Sequence, residues 1–224
     1  MKNWLRNLII LVGTISIIVV MLFTPLLVYI FNSDYYLGLY EKNGVYDYID
    51  KQDAAKLTDQ MIGFFKENKD FESFVLKNDL PYFTQSEISH LEDVRVLFNR
   101  IFIAYYMCLA LTIASIVFLI EKNKRKFLKN LSALMIIPSA VLISLLLILY
   151  LFGQNFLPLF DKFHTIFFPQ GNFAFPADST LITLLPLGFF TDFFEKLVIF
   201  ALIIAAALII TGSTISIIIK KHFK

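Results

Sequence analysis

Charge is scarce in this sequence: Asp, Glu, Lys and Arg fill 17% of its 224 positions, against about 25% in an ordinary soluble domain. Cysteine occurs once, at Cys108, which excludes an internal disulfide framework and cysteine-rich metal sites. No charged neighbour in sequence lowers the pKa of that thiol, so a structural role is expected for it. The charges nearly cancel, 20 basic against 18 acidic with a net +2, which argues against nucleic acid as a partner. Soluble-enzyme signatures are missing as well. There is no G-x-S-x-G elbow, phosphate-binding glycine loop or H-E-x-x-H pair. An H-x4-D acyltransferase motif is excluded, because the fifth residue after His90 is Arg95 and the fifth after His164 is Pro169.

Apolar residues fill the space that charge leaves. Hydrophobic types make up 58% of the chain and aromatic ones 16%, and the mean hydropathy is +0.70. Four runs carry no charge: residues 8–31, 101–120, 131–151 and 197–219. Each matches the roughly 20 helical residues that cross a hydrocarbon core of about 30 Å. They are too long and continuous for barrel strands, and only helices or closed barrels satisfy their backbone in lipid. The fold expected is an all-α integral membrane protein with four transmembrane helices. The first run follows Lys2 and Arg6 as a signal peptide would, but it is about twice the usual length and lacks an A-x-A site, so it reads as a retained span.

The charges that do occur are segregated. The N-terminus (Lys2, Arg6), the connection at 121–130 (Lys122, Lys124, Arg125, Lys126, Lys129) and the tail (Lys220, Lys221, Lys224) hold ten basic residues and one acid, Glu121, whereas segments 32–100 and 152–196 hold the other 17 acids. The positive-inside rule then places both chain ends in the cytoplasm and the two long segments outside.

Segment 32–100 is long enough for a small helical extracytoplasmic cap. Helical spacing runs from Asp53 through Leu57, Met61, Phe64 and Phe65, and again over Phe71, Phe74 and Val75, with a break at Asp79-Leu80-Pro81. Thr84-x-x-Glu87 has the spacing of a capping box. The helix it opens carries Ile88, Leu91, Val94, Arg95 and Phe98 and is expected to continue into the second span. Segment 152–196 is dense in Phe, Pro and Gly, as suits a stretch in the headgroup region or a plain interfacial aromatic belt.

Three histidines remain. His222 lies in the basic tail, where a solvated role is the default. His90 precedes Asp93 by three residues and His164 follows Asp161 by three. On a helix this spacing lets each carboxylate bond a ring nitrogen, setting its tautomer and raising its basicity. Two such bases suit acyl transfer, where one imidazole takes a proton and another serves the leaving oxygen. They also allow a divalent-metal site for hydrolysis, although no third histidine supports it, and a structural role for each pair is open too. Arg95 falls about 140° around the helix from His90, so it would meet another part of a ligand or pair with Glu92. No Lys, Arg, Asp, Glu or His lies within the four runs, which argues against a transporter.

The elements Phe83-Thr84-x-x-Glu87-x-x-His90-Leu91-x-Asp93-Val94-Arg95, Phe163-His164-x-x-Phe167-Phe168-Pro169-x-Gly171-Asn172, Phe175-Pro176-Ala177-Asp178 and Pro186-x-x-Phe189-Phe190 resemble the bacterial lipoprotein intramolecular transacylases. The resemblance extends over nearly the whole chain. It implies a diacylated bacterial lipoprotein as substrate, with the sn-2 acyl chain moving to the α-amine of the N-terminal cysteine to give an N-acyl, S-monoacylglyceryl (lyso) product. It implies a plasma-membrane enzyme without cofactor or metal, working at the outer face among membrane lipid. On this basis His90 is expected as general base, oriented by Asp93. His164, oriented by Asp161, is expected to serve the oxyanion or the departing glycerol oxygen. The reverse assignment and an acyl-imidazole remain open. Phe167, Phe168 and Phe173 are expected to line the acyl pocket. The competing readings are a metal-dependent membrane hydrolase and a non-catalytic partner-binding protein.

Overall fold

A computed structural model describes residues 2–67, 82–152 and 156–222. All regular structure among them is helical, in the order α1 (Asn3–Tyr29), α2 (Ser33–Lys42), a 3-10 turn at Val45–Asp47, α3 (Lys51–Glu67), α4 (Gln85–Phe118), α5 (Lys124–Phe152), α6 (Phe156–Phe167), α7 (Thr180–Leu184) and α8 (Leu187–His222). The apolar spacing at Phe71, Phe74 and Val75 and the break at 79–81 lie outside the described residues.

Four of these helices, α1, α4, α5 and α8, are long and apolar enough to cross a membrane. Each outruns its uncharged stretch. α4 begins 16 residues ahead of Ile101 and α8 begins 10 residues ahead of Leu197. The apolar run records what lipid demands of side chains, whereas the helical backbone bonds continue through charged and aromatic residues until a cap or a proline stops them. For the same reason the basic connection shrinks to a short turn at residues 119–123, with Lys124–Lys129 already in α5.

The chain divides into two compact units. The first contains residues 1–26, 102–152 and 197–224. Its core is Ile17 and Met21 of α1, Leu119 after α4, Leu134 and Leu142 of α5, and Ala201 and Ala205 of α8. Small residues set the approach of these helices. A Cβ on Gly13 would stand 2.8 Å from Leu134 Cδ2, and one on Gly212 would stand 2.8 Å from Ile136 and 3.1 Å from the Ser132 carbonyl. Ser132 Oγ donates to the Gly212 carbonyl at 2.8 Å, a polar contact that holds α5 against α8. Large apolar side chains such as Ile103, Met107, Val117, Ile203, Ile210 and Ile217 are exposed along α4 and α8. Such surface is costly in water and suits hydrocarbon.

The second unit contains residues 27–101 and 153–196. Tyr36 and Tyr40 of α2 pack against Phe189 of α8 at 5.3 and 5.8 Å, and Tyr36 also meets Phe193 at 6.2 Å. A buried hydroxyl pair, Tyr40 and Thr58 at 2.8 Å, joins α2 to α3. Lys42 donates to Asp192 at 2.5 Å and Asn43 donates to the same carboxylate at 2.9 Å. Because α3, the start of α4, α6 and the loop 168–179 all belong to this unit, both histidine blocks lie in one body.

Candidate active site

The site is built on the first turns of α4. Thr84 Oγ1 accepts the Glu87 amide at 3.3 Å, and the Glu87 carboxylate accepts the Thr84 amide at 2.7 Å and its hydroxyl at 2.8 Å. This is the reciprocal cap that the spacing predicts. The structure adds a second task. Glu87 is 1% exposed, and its Oε1 accepts the amide of Leu181 at 2.8 Å, in the first turn of α7. One buried carboxyl group therefore serves the first turns of two helices, α7 being capped by Ser179, whose side chain accepts the Ile182 amide. His90 follows one turn later on the same face of α4.

His164 sits on α6. Its ring and that of His90 are nearly parallel, with centroids 5.9 Å apart and planes at 26°, and both residues are buried, at 8% and 6% exposure. Aromatic rings enclose them. Phe168 lies 4.7 Å from His90 and 5.6 Å from His164, Phe175 lies 5.6 Å from His90, and Phe173 and Phe160 lie 5.2 and 4.2 Å from His164. Of the expected acyl-pocket residues, Phe168 and Phe173 thus face the histidines. Phe167 does not; half exposed, it pairs with Phe163 at 4.8 Å.

Neither aspartate holds its histidine as the spacing suggested. His164 Nδ1 lies 2.8 Å from the carbonyl of Phe160, one turn back. A carbonyl only accepts, so Nδ1 carries the proton, and Nε2 is the nitrogen left to exchange one. Asp161 is exposed, and the helix's own i−4 carbonyl supersedes it as the orienting group. Asp93 is claimed by the loop after α6, its Oδ2 accepting Gln170 Nε2 at 2.6 Å and Asn172 Nδ2 at 2.7 Å. Two charge-assisted bonds outcompete a single bond to a buried ring. A turn delivers those amides. The Gly171 amide donates to the Phe168 carbonyl at 3.1 Å, Pro169 occupies the second turn position, and Gly171 takes φ +78°, which other residues adopt only with strain.

His90 is held neutral. Burial above all, then the neighbouring His164, push its pKa down to about 4, against the opposing influence of Asp93 and Asn172. Its Nδ1 and the Oδ1 of Asn172 are both buried without a hydrogen-bond partner. Arg95 stands apart from the imidazoles, its guanidinium 4.2 Å from the centre of the Phe64 ring on α3, and it makes no ion pair with Glu92 among the described residues. Cys108 is half-buried in α4, and His222 is exposed at the end of α8.

Sequence reasoning missed Asn172 and Gln170 as partners of Asp93, the Phe160 carbonyl, and the burial of Glu87. The signal for the loop was present: Gln170 and Asn172 are the only amide side chains in an otherwise aromatic and proline-rich stretch at 156–196. Among the described residues no three His, Cys, Asp or Glu side chains gather as a metal site would require.

Four long apolar helices and a second unit that pairs two buried imidazoles define a multi-pass membrane protein with the outfit of an acid–base catalyst. The family model for lipoprotein intramolecular transacylase Lit matches residues 10–190, and the chain belongs to that family. The fold is similar to that of the membrane-integral lipoprotein intramolecular transacylase Lit from Bacillus cereus, with a TM-score of 0.78 over 100% of both chains at 20% identity. Two variants of that protein with one histidine replaced also match. The arginine variant gives a TM-score of 0.72 at 19% identity over 96% of this chain and 93% of that one. The alanine variant gives 0.74 at 19% identity over 99% and 97%. No curated protein sequence matches the chain.

Proposed function

We propose that this transacylase moves the sn-2 acyl chain of a diacylglyceryl lipoprotein onto the α-amine of its N-terminal cysteine, with His164 as the base and His90 as its partner. The pairing of the two imidazoles at 5.9 Å carries this reading. Of the two assignments that the sequence allows equally, it takes His164 as the base, because burial makes His90 the poorer proton acceptor, whereas His164 has its proton placed on Nδ1 by the Phe160 carbonyl.

The substrate amine, with a pKa near 8, is neutral in about a tenth of molecules at pH 7. His164 Nε2 accepts a proton from that amine as its nitrogen attacks the ester carbon. The imidazolium then returns this proton to the glycerol oxygen as the C–O bond breaks, so nothing is gained or lost. His90 accepts a hydrogen bond from the second amine N–H and turns the nitrogen lone pair toward the carbonyl. Donor and acceptor belong to one molecule, so the enzyme needs only to align them. Phe168, Phe173 and Phe175 offer the apolar wall for the chain, Phe167 its outer rim. Asp161 and Arg95 take supporting places outside the imidazole pair. We place the enzyme in the bacterial plasma membrane, the site at the outer face and both termini in the cytoplasm, on the strength of the charge segregation.

The test is expression in bacteria that retain diacylated lipoproteins, followed by tandem mass spectrometry of one N-terminal lipopeptide. Intramolecular transfer leaves the intact mass unchanged and moves acyl to nitrogen in the fragments. Loss of that fragment in His164→Ala supports the assignment, and undiminished product in His164→Ala overturns it. A diacylglyceryl peptide left unchanged by the well-expressed wild-type enzyme would restore the hydrolase and partner-binding readings.

A further inference from the structure

We propose that Asn172 is a positioning residue that relays the orientation of Asp93 to His90, keeping the His90 proton on Nδ1 and its Nε2 lone pair turned to the reacting amine. The inference rests on the transacylase reading for what Nε2 faces, but the relay itself rests on the burial and partners of Asn172. The Asp93 carboxylate can only accept, so the Asn172 group 2.7 Å from it is the NH2 end. This orients the amide without ambiguity and sends Oδ1 the other way. That oxygen is buried and unpaired, and so is His90 Nδ1, with the Asn172 side chain acting directly on the ring. A buried acceptor and a buried ring nitrogen, both without a partner in one small site, form a bond waiting to close. An Nδ1–H donated to Oδ1 satisfies both atoms; the opposite tautomer would set a lone pair against the carbonyl oxygen. Among the described residues no hydrogen bond joins Asp93 to His90; its Oδ2 instead accepts Gln170 and Asn172. The turn at Gly171 exists to hold Asn172 at this point. His164 uses a backbone carbonyl for the same purpose, so both rings come to present Nε2.

The experiment is long-range proton–nitrogen NMR of the full chain in detergent micelles with 15N-labelled histidine. Only three histidines report, and single His→Gln variants assign them. Wild-type His90 is expected as the Nδ1–H tautomer. In Asn172→Ala this signature is expected to move toward a mixture of tautomers while His164 is unchanged, and kcat is expected to fall by about tenfold or more, the usual cost of removing the partner that orients a working imidazole, with KM within about twofold. An Nε2–H tautomer in the wild-type protein overturns the proposal without any variant, so a misfolded Asn172→Ala does not shield it. An unchanged His90 signature in folded Asn172→Ala also overturns it. If the wild-type enzyme forms no N-acyl product, the transacylase reading fails, while the tautomer measurement still decides the relay.

Discussion

His90 and His164 stand with their rings nearly parallel and 5.9 Å apart, and the charge of one suppresses protonation of the other. Transfer of one proton from nitrogen to oxygen needs only one ring charged at a time, and a charged His164 opposes a second proton on His90. Residues that act as a unit are non-additive. Each of His90→Ala and His164→Ala is expected to reduce transfer at least about a hundredfold, and the double variant is expected to be no worse than the poorer single one. Initial rates on a synthetic diacylglyceryl lipopeptide check this, and multiplying losses would show that the rings act independently.

The lowered pKa of His90 makes stability depend on pH. Its folded value of about 4 lies below the ordinary 6.5, so the unfolded chain binds the extra proton in that window and stability falls as pH falls from about 6.5 to about 4. The loss attributable to this one ring is at most about 3 kcal/mol. Thermal melts in detergent at pH 7 and pH 4.5 are expected to show a smaller acid loss for His90→Phe than for the wild type. Equal losses would mean the ring titrates normally in the folded protein.

Glu87 is expected to matter more than its cap partner. Thr84→Ala removes a cap hydroxyl, worth about 1 kcal/mol. Glu87→Ala instead leaves the amides of Thr84 and Leu181 without their acceptor and is expected to cost about 2–3 kcal/mol. Melting temperatures of the two variants, measured side by side, give the order.

The two small-residue crossings of the first unit are expected to differ. A methyl added at Gly13 meets only side chains, Leu134 at 2.8 Å and Ser115 at 3.1 Å, whereas one added at Gly212 also meets the backbone oxygen of Ser132 at 3.1 Å. Gly212→Ala is therefore expected to lower the melting temperature more than Gly13→Ala, by roughly 1 kcal/mol in stability.

The orientation proposed from charge is tested with fusions. A cytoplasm-active reporter joined after Lys224 is expected to work, and one that requires export is expected to be silent. The opposite pattern would place the histidine unit on the inner side.

Composition and spacing by themselves determined the membrane class, the four apolar runs, and the cap at Thr84 and Glu87. Each depends only on neighbours along the chain or on the solvent, and lipid and helix geometry leave little choice there. The same local logic misjudged the aspartates. Three-residue spacing permits Asp93 to bond His90 and Asp161 to bond His164, but permission is not competition. The Phe160 carbonyl already lay within reach of His164, and two amides from a loop 77 and 79 residues further on reached Asp93. Only the tertiary structure decided that the two histidine blocks meet, that His90 is buried enough to lose its proton, and that Asn172 takes up the Asp93 carboxylate. Burial and hydrogen-bond partners are set by whichever group arrives from elsewhere in the chain, and that depends on how the helices and loops pack.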